Sequence, residues 1–376
     1  MKETAIYIHV PFCDHKCIYC DFYSIITKNN INPFLAALKN EIQFYSTRYS
    51  EDRIITSIYF GGGTPSLMEP TYLKEIICHV KSNFNVSSDA EITIETNPGT
   101  VNKRKLNSFL EAGVNRISVG IQSFNNEDLK FLTRIHTAEI ASKTVYDAKE
   151  TGFKNINVDL IFNLPKQTKE KWKFNLETAV KLPVNHISAY SLILEKGTIL
   201  YKMVLDGKVK IQNEDYDAEL YEMTIDFLTD NGFKQYEVSN FSKPGFECIH
   251  NKAYWHYKDY FGFGTSAHSF IEGKRWWNFS SLKQYISEIG KKDFAIAGNE
   301  ILDEYEMLDE YIMLALRSDG LDLSKLKNKF GDIWLNQHRR ILSELIKYHF
   351  AELTDNVISL TKKGYSVCDE ILAKIL

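Results

Sequence analysis

Three cysteines stand within eight residues, spaced Cys13-x3-Cys17-x2-Cys20. Thiolates on one short loop are soft ligands for zinc or for iron–sulfur clusters. A structural zinc site takes four ligands, with a second pair some distance on. His15 lies inside the loop, but no partner follows it at finger spacing. Ordinary electron-transfer clusters also use four cysteines. Three thiolates suit a [4Fe–4S] cluster with one iron left open to another ligand. On spacing alone the cluster is favoured, while zinc and coincidence stay open. Cys78, Cys248 and Cys368 are scattered and read as small buried hydrophobes.

The loop must be held by something. Short β-rich runs recur at 5–10, 54–60, 92–95, 117–121, 156–162 and 187–194, with helical periodicity between them at 33–47, 72–84, 103–112, 140–150 and 169–182. Such alternation predicts a parallel sheet. The nearly continuous apolar runs predict that both faces are covered. Six βα units fall short of eight, so an open, partial (β/α)6 barrel is expected. Chemistry in such barrels sits at the carboxyl ends of the strands. Cys13 follows the first strand, Gly61–Gly63 the second and Asn97-Pro98 the third, which places all three on one rim. Residues 213–232 read as a helix and 233–241 as a seventh extended segment. From about 303 the order is three helices, a hairpin around VISLTKKGY and a last helix, which is winged-helix-like. The expected division is 1–240 for the barrel, 241–300 for an aromatic-rich connecting segment and 301–376 for the C-terminal domain.

Composition bounds the function. The 376 residues are 44% hydrophobic and 25% charged, with 45 basic against 49 acidic side chains. That is ordinary for a soluble globular protein, and net acidity disfavours non-specific nucleic-acid binding. The 301–376 segment carries ten basic and thirteen acidic residues, so its winged-helix-like order points to a structural or docking role rather than to DNA. No apolar run approaches the ~18–20 residues that span a bilayer, and the start lacks a secretion signal. A cytoplasmic location, with reduced thiols, is expected.

Tyr7-Ile8-His9-Val10-Pro11-Phe12-Cys13, the cysteine spacing and Gly61-Gly62-Gly63-Thr64-Pro65 resemble the radical S-adenosylmethionine (SAM) superfamily. More closely, they resemble its oxygen-independent coproporphyrinogen oxidase-like family. The similarity continues through Glu95-Thr96-Asn97-Pro98, Gly120-Ile121-Gln122-Ser123, Arg134 and Val158-Asp159-Leu160-Ile161. The resemblance implies a radical SAM partial barrel whose open iron is chelated by the amino and carboxylate groups of SAM. It implies that Glu95, Gln122, Arg134 and Asp159 contact SAM's ribose, carboxylate and ammonium. Tyr7 would lie close to cluster and SAM, and Ile161 beside the adenine. The glycines, with Thr64 after them, would let backbone groups approach the methionine ammonium. The plainer reading of Arg134 is a surface pair with Glu127 or Asp128.

Two departures point to the heme chaperone branch of that family. Phe22 stands where the oxidases carry a fourth cysteine, and only twelve residues precede Cys13, where the oxidases carry a closing extension. A third feature is positive. His250-Asn251-Lys252-Ala253-Tyr254-Trp255 matches the HNxxYW motif of the chaperones. Histidine is a common axial ligand of heme iron, and nine aromatics lie within 250–277. The bland reading is an aromatic core with His250 hydrogen-bonded inside it. His256 and His268 are secondary ligand candidates. Gly262-x-Gly264-x-x-Ala267 mimics a dinucleotide fingerprint but lacks the βαβ setting that motif needs. The expectation is a heme chaperone carrying a [4Fe–4S] cluster and SAM, which delivers heme to heme-dependent, respiratory proteins. Peripheral membrane association is implied only by such recipients, and a homodimer is left open. The alternative is a coproporphyrinogen III oxidase acting in porphyrin biosynthesis.

Overall fold

The computed structural model describes residues 1–27 and 29–376. Six strands, β1 (Lys2–Val10), β2 (Arg53–Gly62), β3 (Val86–Thr96), β4 (Arg116–Gln122), β5 (Asn155–Phe162) and β6 (His186–Ser191), run parallel in chain order. Helices α1 (Ile31–Tyr49), α2 (Pro70–Asn83), α3 (Lys103–Glu111), α4 (Asn126–Phe131), α5 (Ala138–Thr151) and α6 (Lys169–Lys181) lie between them. The helix starts follow from the sequence. Thr137 and Thr168 accept the amide hydrogens of Ile140 and Lys171, satisfying donors that the first turn leaves unpaired. Ile6, Ile8 and Val10 on one face of β1 and Ala5 and His9 on the other are buried, so the strand is covered on both faces. Cys78 departs from expectation. It is exposed, because the buried stripe of α2 runs through Leu73, Ile76, Ile77 and Val80 and leaves position 78 facing outward.

After α7 (Ile199–Leu205) and α8 (Glu214–Asp230), the expected single extended segment is a hairpin. Its arms β7 (Lys234–Glu237) and β8 (Asn240–Ser242) pair antiparallel, and β8 pairs antiparallel with β6. Beyond α9 (Ile249–Trp255), the segment expected as a connector adds strands to the same sheet: β9 (Tyr260–Gly264), β10 (His268–Ile271), β11 (Lys274–Asn278) and, after α10 (Leu282–Lys292), β12 (Ile296–Ile301). β9 runs parallel to β1 on the side away from β2, with Tyr7 beside Gly262. The twelve strands are ordered β12-β11-β10-β9-β1-β2-β3-β4-β5-β6-β8-β7, and the sheet does not close.

The last part is helical: α11 (Glu304–Leu316), β13 (Leu321–Asp322), α12 (Leu323–Phe330), α13 (Ile333–Lys347), β14 (Ala351–Thr354), β15 (Val357–Leu360), α14 (Lys362–Tyr365) and α15 (Cys368–Ile375). Its small sheet is ordered β13-β15-β14. Asp355 and Asn356 take positive φ between β14 and β15, as a tight two-residue hairpin turn demands. Of the stretch VISLTKKGY only Val357–Leu360 belongs to the hairpin, as its second arm, since Lys362–Tyr365 are helical. This part buries its own apolar core around Ile312, Leu321, Trp334 and Ile371, separate from the core under the large sheet.

Candidate functional site

The strand ends of β2 to β6 and the loop after β1 enclose a cavity of about 510 Å³. Cys13, Cys17 and Cys20 line it, together with Gly62, Gly63, Thr64, Glu95, Gln122, Arg134, Asp159 and Ile161. Residues spread over 149 positions of sequence therefore meet on the rim expected for a parallel barrel. The cysteine loop is tied down by its backbone: Ile25 donates to Pro11 and Cys13 donates to Ile25. Burial holds the Cys13 thiol above its usual pKa and pushes Cys20 up to about 11. Metal binding must therefore displace protons from these sulfurs. Among the described residues no three His, Cys, Asp or Glu side chains gather as a single ion requires. The ligands of a cubane each hold a different iron and stand further apart than the ligands of one ion. Three thiols around a roomy cavity fit a cluster better than zinc.

Arg134 reaches into this cavity. Its Nη2 donates to Asn97 Oδ1 and to the Gly120 carbonyl, both at 2.7 Å, and Nη1 lies 3.6 Å from Cys17 Sγ. Its buried Nε has no partner among the described residues. Burial works against the charge, but neighbouring Tyr19 and Cys17 more than offset this and hold its pKa above the usual value. The surface pairing with Glu127 or Asp128 does not form. Lys171 pairs with Glu127 at 3.0 Å, and the Ser123 hydroxyl donates to Asp128. A guanidinium held only by neutral oxygens and a sulfur suits an anionic group, such as an amino-acid carboxylate.

Two carboxyls line the same cavity. Glu95 accepts from the Tyr59 hydroxyl at 3.0 Å and the Gly62 amide at 3.2 Å. Burial, with repulsion from Asp159, raises its pKa to about 7. Asp159 accepts from Ser118 and Asn157, and burial raises its pKa too. Gln122 has a φ of 69° and sits at a bulge where β4 slips against β5. A bulge re-aims a side chain, and strained backbone of this kind concentrates at functional sites.

Gly62 and Gly63 line the cysteine cavity, and all three glycines also have a packing role. A Cβ on Gly61 would stand 2.8 Å from the Tyr7 ring, one on Gly62 2.6 Å from the His9 ring, and one on Gly63 2.7 Å from the Phe12 carbonyl. The amides of Gly62 and Gly63 donate to Glu95 and Val10. The space is filled by β1 and the cysteine loop, so the glycines set how closely that loop docks. Tyr7 and His250 do not line this cavity. Tyr7 lines a second cavity of about 850 Å³, walled by Tyr254, Tyr257, Tyr260, Phe270, His268 and Met313 among others. Lys16, Asp21 and Phe22 line both cavities, and Phe22 is 59% exposed.

His250 is 2% exposed. Its Nδ1 pairs with the Ser57 hydroxyl and its Nε2 with the Tyr254 hydroxyl, each at 2.9 Å, and its ring stacks on Tyr59. Burial lowers its pKa to about 3. As placed, it offers no free nitrogen to an iron, which matches the bland reading. Glu91 receives the amides of Ile249 and His250, fixing the start of α9. Asn251, Tyr254 and Trp255 of the same motif line a third cavity of about 400 Å³ beside Tyr190 and Glu237. His256 pairs with Asp319 instead. Asn97 and Tyr59 are the partners that sequence reasoning left without a role. Asn97 stood inside a quoted motif; nothing about Tyr59 distinguished it from other strand aromatics.

A family model described as the radical SAM superfamily matches residues 7–179. The heme chaperone HemW of Lactococcus lactis is 33% identical, with 100% of this chain and 98% of that protein covered. HemW of Bacillus subtilis is 33% identical, with 99% of each covered. The structure of coproporphyrinogen III oxidase (HemN) from Escherichia coli aligns with a TM-score of 0.85 at 24% identity, covering 100% of this chain and 90% of that one. That likeness establishes the shared fold. Matched end to end by relatives at this identity, the chain belongs to the HemW family of the radical SAM superfamily.

Proposed function

We propose that the protein is a heme chaperone, which binds heme and hands it to heme-requiring proteins. The observation that carries this reading is the aromatic cavity, which shares the wall Lys16, Asp21 and Phe22 with the cysteine cavity. Its relatives are named for the same task. Superfamily membership brings a [4Fe–4S] cluster and SAM. Cys13, Cys17 and Cys20 would hold the cluster, leaving its fourth iron to SAM. When bound, the pair supplies one-electron reduction and a source of an adenosyl radical. The chain's own residues bind and orient. Arg134 presents its charge to the carboxylate, Glu95 and Asp159 accept from ammonium or hydroxyl groups, and Ile161 supplies an apolar face. Phe22 gives the heme side an apolar wall at the position next to the cluster loop.

The recipients in this reading are respiratory heme proteins, met from the cytoplasm. No described helix is long and apolar enough to cross a membrane. The test is anaerobic reconstitution with parallel assays. The expected result is about four irons and four sulfides, lost in Cys13→Ala, Cys17→Ala or Cys20→Ala, together with heme uptake near one equivalent. Failure of the reconstituted protein to take up heme, or multiple-turnover decarboxylation of coproporphyrinogen III, overturns the reading.

A further inference from the structure

Resting on that reading, we propose that heme seats in the aromatic cavity with the His268 imidazole as a ligand of its iron. The imidazoles near the two cavities differ in whether their ring nitrogens are already engaged. His9 pairs with the Tyr7 hydroxyl and the Tyr23 carbonyl, and His250 with Ser57 and Tyr254. His15, on the cysteine side, faces the Thr133 hydroxyl. Among the described residues, the ring nitrogens of His268 make no hydrogen bond, and the side chain lines the aromatic cavity. Coordination there breaks nothing, whereas at His9 or His250 it would leave a buried hydroxyl or carbonyl without its partner.

The ring is also held in place. His268 opens β10 and stands directly across from Trp277 of β11, whose indole stacks on it with centroids 5.7 Å apart and planes 25° apart. Burial and the Arg275 charge lower its pKa, so it is neutral and carries a lone pair at neutral pH.

The walls suit a flat apolar ring. Tyr257 and Phe270 lie 4.9 Å apart and Tyr254 and Tyr260 4.6 Å apart, between ring centroids. A volume of about 850 Å³ lies within the range of small-molecule sites. Charge places the propionates. Arg275 is already matched by Glu300 and Glu310, and Lys258 by Glu3. Lys16 has no ion pair among the described residues and stands on the wall shared with the cysteine cavity. Met313 and Leu314 add further apolar surface to the wall.

The test is hemin titration of the full chain followed by absorption and electron paramagnetic resonance, with cluster iron content as the check on folding. His268 is exposed, so His268→Gly should fold normally. The expected result is a changed ligand field and at least tenfold weaker heme binding in His268→Gly, with the wild-type spectrum restored by added imidazole. An unchanged ligand field in His268→Gly overturns the assignment, whatever the affinity. A wild-type protein that binds no hemin overturns the chaperone reading instead.

Discussion

At Arg134, one side chain chooses between a surface ion pair and the cysteine cavity. Sequence placed Glu127 and Asp128 within reach of it, but both carboxyls are engaged by Lys171, Ser123 and Gln167. The guanidinium instead turns toward Asn97, Gly120 and Cys17. A hydrogen bond to a charged group is worth about 1.5–3 kcal/mol, which corresponds to about 10–150-fold in affinity. Arg134→Met should weaken SAM binding to the cluster-loaded protein by that factor, measured by calorimetry under anaerobic conditions. The iron content should stay at the wild-type level, because no cysteine is touched. Undiminished affinity would remove Arg134 from the site.

Strand ends and the turns after them carry the site at the level of elements. The end of β2 lies against β1, with His9 beside Gly61 and Val10 beside Gly62. Gly62 has a φ of 107°, and its missing Cβ is the space of the His9 imidazole. Gly62→Ala incurs both backbone strain and a clash. The expected loss is at least about 2 kcal/mol in urea unfolding of the apoprotein. Gly245 provides the comparison: its φ is 81° and a Cβ there meets nothing within 4 Å. Gly245→Ala should cost only about 1 kcal/mol, the strain alone. Equal losses in the two variants would mean that the fit of β2 against His9 is unimportant.

Across the whole molecule, Glu41 joins the beginning of the chain to the part that completes the sheet. It lies on α1, fully buried, and accepts from the Gly264 amide at 2.9 Å and from Asn278 and Tyr285 at 2.6 Å. Burial outweighs these bonds and raises its pKa to about 7. The folded protein therefore binds this proton more tightly than the unfolded chain, whose glutamates titrate near 4.3. The stability this confers is full below about pH 4.3 and is lost as pH rises to about 7, an effect of about 4 kcal/mol. Glu41→Gln should remove that slope. Denaturant midpoints at pH 5 and pH 8 would show a smaller difference than wild type. An unchanged difference would mean that Glu41 is already ionised at pH 5.

Periodicity and local chemistry determined much of this protein. The six parallel strands, the helices between them other than the short α4, and the rim bearing Cys13, Gly61–Gly63 and Asn97 are legible in the chain. The motifs also pin cysteine, glycine and acidic residues of the cysteine cavity to strand ends, but they do not single out Tyr59, which lines it too. Tertiary structure alone decided that β9 docks beside β1, which turns an apparent connector into part of the large sheet. It also decided that the HNxxYW histidine is hydrogen-bonded at both nitrogens while His268 stays open. The physical reason is range. Strand and helix propensities act over a few neighbours, whereas Ser57 and His250, or Glu41 and Tyr285, meet only after the sheet has formed. A buried imidazole takes the partners that fold supplies, and no spacing in the sequence specifies them.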